Sequence, residues 1–81
     1  MATAEKFREA TNACEHASNS KAALADKKVL IGAAVLFAQV AEHIERGNFL
    51  TGEILDRCRI DISRISDEQV RRKIEALLFD A

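Results

Sequence analysis

The strings ACEHAS and VAEHIE each set a histidine directly after a glutamate, and these pairs are the first place to look for chemistry. A carboxylate and an imidazole bind one ion from a helix when they share a face, as in the Glu-x-x-His pairs of di-iron bundles. Glu15–His16 and Glu42–His43 are adjacent instead, so the members of each pair diverge by about 100° around a helix and cannot close on one metal. His16 and His43 are therefore expected as surface residues near helix ends. Cys14 and Cys58 form no C-x-x-C pair, which removes the usual zinc spacing. Both lie on apolar stripes, where cysteine acts as a small hydrophobe. Arg57 and Arg59 flank Cys58 in sequence but leave the helix on other faces, so they are poorly placed to lower its pKa. Gly-rich phosphate loops, HExxH and GxSxG are all absent. The chain reads as non-enzymatic, with no cofactor, metal or small-molecule substrate expected.

Arg71, Arg72 and Lys73 are the strongest basic run and raise a second possibility, a DNA-binding regulator using a helix-turn-helix-like pair at 52–79. Arg57, Arg59 and Arg64 lie nearby in sequence. Against this, the first turn of the second helix carries Asp67 and Glu68, which repel phosphate where a recognition helix approaches the bases. Twelve basic against thirteen acidic residues give a net charge of -1, and this balance drives the chain toward neither nucleic acid nor an anionic membrane. Nucleic acid is thus the second expectation and not the first.

These residues must be positioned by helices. Proline is absent and there are three glycines, so helices can run unbroken. Thr3 is a plausible N-cap for a helix from Ala4 to Ala17, with Phe7, Ala10, Cys14 and Ala17 on one face. A second helix begins near Lys21 or Asp26 and ends near Arg46, stopped by Gly47 in the left-handed C′ position. Thr51 can cap a third, from Gly52 or Glu53 to about Ser63, whose apolar side is Ile54, Leu55, Cys58 and Ile62. The alternation of Cys58, Ile60 and Ile62 also fits an extended segment over 58–65, but one short strand would lack a pairing partner. Ser66 with Gln69 reads as a capping box for a fourth helix, whose inner face is Val70, Ile74, Leu77 and Leu78. The expectation is an all-α single domain, residues 1–81, a small bundle of three to four helices around a central apolar helix at about 21–46.

Residues 29–41 of that central helix read VLIGAAVLFAQVA, with Gln39 the one polar residue. Thirteen residues of helix span about 20 Å, too short for roughly 30 Å of hydrocarbon. The start, MATAEKFREA, has no basic n-region or apolar h-region, and two unpaired cysteines fit a reducing compartment, so a cytoplasmic location is expected. On a helical wheel, Val29, Leu30, Ala33, Phe37, Val40, Ala41 and Ile44 make an ordinary core face. The opposite side carries Leu24, Ile31, Val35 and Ala38 at coiled-coil spacing, bounded by Lys28 and Glu42. A domain this small has a marginal core, and association is a natural reinforcement. The first expectation is therefore a helical interaction module (adaptor, small chaperone or regulator), with Leu24, Ile31, Val35 and Ala38 as the partner interface. It pairs as a homodimer, or with another helical protein, antiparallel so that Lys28 meets Glu42. The competing arrangement is a monomer in which the other helices wrap the second one completely.

Overall fold

The computed structural model describes residues 3–20 and 24–79, with the backbone alone for 24 and 25. It is all-α: α1 (Ala4–Ser18), α2 (Leu24–Glu45), α3 (Gly52–Ser63) and α4 (Glu68–Phe79). Three of the helix ends follow directly from local chemistry. Thr3 and Thr51 are extended N-caps whose hydroxyls accept from the backbone N–H of Lys6 and Ile54, each at 3.2 Å. At the end of α2, Gly47 turns left-handed at φ 87°, and the N–H groups of Gly47 and Asn48 reach back to the carbonyls of Ile44 and His43. This is the Schellman closure, which satisfies carbonyls that the last turn would otherwise leave open. Residues 58–63 are helical, so the extended alternative for 58–65 is not adopted. Lys21, one of the two starting points considered for the second helix, lies outside the described residues.

The start of α4 corrects the sequence reading. Asp67 is the N-cap, not Ser66: its Oδ1 accepts from Gln69 N at 3.0 Å and Val70 N at 3.2 Å. The cause lies across the fold. Asp26, in the first turn of α2, accepts from Ser66 N at 3.1 Å and Asp67 N at 3.2 Å through its two carboxylate oxygens. Because Asp26 takes the Ser66 N–H, Gln69 cannot make the reciprocal bond that completes a capping box at Ser66, and the Asp67 carboxylate caps instead.

The four helices close into a ring. α1 packs on α2 and α4, and α3 packs on the same two helices. α1 and α2 run antiparallel, since Arg8 near the start of α1 binds Glu45 at the end of α2 at 2.6 Å. Within the ring Phe7 and Phe37 meet at 6.1 Å between centroids, tilted by 55°, in the range favoured by aromatic pairs. Cys14, Leu30, Ala33, Ala41, Cys58, Ile62, Ile65 and Ile74 are among the buried residues around them. α2 supplies more of the core than any other helix, but α1 and α3 cover it from two sides and α4 stands across the core. Its outer side remains open.

Candidate partner interface

The periodicity of α2 places its residues on two opposed faces. Leu30, Ala33, Phe37, Val40 and Ala41 turn inward and are buried, with Val29 and Ile44 half-buried at the margins. On the other side Ile31 is 56% and Val35 54% exposed, so the described residues do not wrap α2 completely, as the alternative required. Ala38 is half-buried, and the side chain of Leu24 lies outside the described residues. Lys28 and Glu42 bound the stripe at either end, both exposed. Lys28 has no ion-pair partner among the described residues, whereas Glu42 is bonded to Arg46 one turn on. Gly32 and Gln39 run along one margin. A Cβ added at Gly32 would meet nothing within 4 Å, so packing inside the chain does not demand glycine there. Beside it lies a hollow of about 230 Å³ lined by Lys28, Val29, Gly32, Asp61 and Arg64, opening between α2 and α3.

The basic run of α4 is divided among three directions. Arg71 is half-buried and donates from Nη1 to the Ile65 carbonyl at 3.0 Å, bracing its own loop, with Glu75 at 3.8 Å. Arg72 pairs with Glu68 at 2.6 Å and borders the groove between α3 and α4. Lys73 borders a different groove, between α4 and α1. Consecutive helical residues cannot share a face, and here each basic group serves a separate surface. The start of α4 is surrounded by the carboxylates of Asp26, Asp67 and Glu68, which oppose a phosphate at the position a recognition helix would offer. The structure therefore does not bring Arg71, Arg72 and Lys73 together.

The two histidines also sit apart. His16 lies beside the α1–α4 groove, and His43 faces the α2–α3 side, where its Nε2 lies 3.0 Å from the Phe49 carbonyl. Since a carbonyl only accepts, Nε2 is the donor in this contact. No group of three or more His, Cys, Asp or Glu residues among the described residues is arranged to hold a metal. Cys14 and Cys58 are both free and fully buried. Burial pushes the Cys14 thiol up to about 12, with Glu15 adding to the effect. Burial and then Asp61 raise Cys58 to about 11, only partly offset by Arg57. Both thiols are protonated at neutral pH, the opposite of what a nucleophile needs.

Asp26 is the residue that sequence reasoning undervalued. It is 6% exposed and its carboxyl is held below the usual range, first by the Ser66 N–H and also by Ser66 Oγ and the Asp67 N–H, against the opposing effect of burial. A signal was available: Asp26, Leu30, Ala33 and Phe37 share one face, so a charge was due in the core and had to find donors. Phe49 had no such signal. It is 88% exposed in the α2–α3 connection, where neither helical nor strand periodicity applies.

No known protein family, curated protein or solved structure matches this chain. No helix among the described residues is long and apolar enough to cross a membrane.

Proposed function

We propose that this protein is a non-enzymatic helical interaction module, an adaptor, small chaperone or regulator, whose working surface is the outer face of α2. The observation that carries this reading is the exposure of Ile31 and Val35 on one face of a helix whose other face is core. Helix-on-helix recognition uses this kind of stripe, read at i, i+4 and i+7. The protonated, buried thiols and the division of Arg71, Arg72 and Lys73 among three surfaces favour it over catalysis or DNA binding. The same free thiols suit a reducing cytoplasm, the location this reading assigns.

The magnitude of the interaction follows from the exposure. Full burial of Ile or Val gives about 1.5–3 kcal/mol, and roughly half of each surface is already covered within the chain, leaving about 1 kcal/mol per side chain. Two such residues on each of two helices give roughly 4 kcal/mol, near the lower end of what association costs in lost freedom. The neighbouring charges and small residues must supply the net attraction, so the contact is weak and reversible. Dilution from 1 mM to about 10 µM, followed by amide chemical shifts, tests the surface. Shift changes confined to outward positions between Lys28 and Glu42 are expected. Changes centred on α4 instead would transfer the working surface there.

A further inference from the structure

We infer that the occupant of the α2 stripe is a second copy of this chain, crossing antiparallel about a two-fold axis at Val35. This rests on the reading above that the outer face of α2 binds a helix. Charge sets the direction. Lys28 and Glu42 lie seven residues either side of Val35 and close to the same meridian of the helix. A parallel partner would set lysine against lysine and glutamate against glutamate. An antiparallel partner centred on Val35 sets Lys28 of each copy level with the partner's Glu42, where it joins Arg46 as a second cation on that carboxylate.

Size complementarity then agrees with the same register. Around the helix, Ile31 and Ala38 lie to one side of Val35, and Gly32 and Gln39 lie to the other. A two-fold axis perpendicular to both helices brings each flank onto the same flank of the partner. Ile31 falls within about 1.5 Å, one residue's rise, of the height of the partner's Ala38, and Gln39 equally close to that of the partner's Gly32. Each large side chain thus meets a small one. The hollow of about 230 Å³ beside Gly32 receives the partner's Gln39, and Asp61 and Arg64 on its wall offer an acceptor and donors for the amide. This gives Gly32 a purpose. An exposed glycine in mid-helix is unfavourable relative to alanine and is unexplained within one chain.

Cysteine cross-linking of the full chain tests the register, because Cys14 and Cys58 are fully buried and do not compete. At about 0.5 mM under mild oxidation, Val35→Cys is expected to give a disulfide-linked dimer, its two copies meeting on the axis. Ile31→Cys is expected not to link to itself, since its copies stand about 12 Å apart along the helices, beyond disulfide reach. Mixed Ile31→Cys and Ala38→Cys chains are expected to link to each other. Asn12→Cys, exposed on α1, measures random collision. Self-linking of Ile31→Cys as fast as Val35→Cys would mean a parallel pair and overturn the proposal. Linking of Val35→Cys no faster than the Asn12→Cys control would overturn it too. Gly32→Leu, whose Cβ would meet nothing within 4 Å in the single chain, is expected to remain folded and weaken dimerisation at least tenfold. Unchanged dimerisation would remove Gly32 and its hollow from the interface. A chain that stays monomeric to 1 mM with no helical partner would defeat the underlying reading, whereas a dimer with the wrong cross-links defeats only the register.

Discussion

The two faces of α2 depart from the usual pattern in opposite senses: a carboxylate sits inside and branched apolar side chains sit outside. Asp26 is 6% exposed on the core face, while Ile31 and Val35 are each more than half exposed opposite it. The inner exception is resolved within the chain. The N–H groups of Ser66 and Asp67 meet the Asp26 carboxylate, and the link ties the first turn of α2 to the connection between α3 and α4. The outer exception has no such resolution among the described residues, because α1 and α3 occupy the flanks of α2 and none of the four helices covers the stripe. A buried charge with donors is a structural fastening. An apolar stripe without a cover is a surface available to a partner.

Substitutions on the two faces should separate these roles. The largest effect is expected from Phe37→Ala on the inner face, which removes the partner of Phe7 and opens a cavity, costing about 3–5 kcal/mol by chemical denaturation. A loss below about 1 kcal/mol would mean the core collapses around the gap.

Asp26→Ala should follow at about 2–3 kcal/mol, since it strands two backbone donors at a part-buried site. Its pH signature is specific. The folded carboxyl titrates below its unfolded value of about 3.9, so its stabilisation is complete above that value and is lost as pH falls through the depressed folded value. Acid unfolding between about pH 5 and 2 should therefore be less steep in Asp26→Asn than in the parent. Identical acid limbs would show that Asp26 does not control this transition.

A smaller loss, about 1 kcal/mol, is expected from Arg71→Ala, which removes the brace on the Ile65 carbonyl. Retention on random duplex DNA at low salt should be negligible with or without that change. Strong binding by the parent that falls in the variant would restore the nucleic-acid reading. The smallest stability effect belongs to the outer face. Val35→Glu should alter monomer stability by no more than about 0.5 kcal/mol, as for other surface changes, while abolishing association.

Much of the architecture was legible because its signals are local. Thr3, Thr51 and Gly47 each determine a helix end through bonds made within a few residues. The inner stripes of α1, α3 and α4 follow from spacing alone. The N-cap of α4 was not legible in the same way: Ser66 with Gln69 has the right local pattern, but a carboxylate forty residues away in sequence sets where the helix begins. The open face of α2 was visible as an apolar stripe opposite a core face. How much of it one chain covers depends on where the short helices stand around the ring, and that is a tertiary outcome. Half-coverage of Ile31 and Val35 turns a strong seam into a weak one. The exposed Phe49 was invisible for a different reason, since its position follows from two helix ends meeting across a short connection.

The most direct test is sedimentation across concentration, from about 10 µM to 1 mM, recorded by interference optics because the chain has no Trp or Tyr. The parent chain is expected to shift from monomer toward dimer over this range, and Val35→Glu to remain monomeric, with the melting profile of the parent at the dilute end of the range. A parent chain that keeps one mass throughout, or a Val35→Glu variant that associates equally well, would contradict the assignment of the outer face of α2 as the working surface.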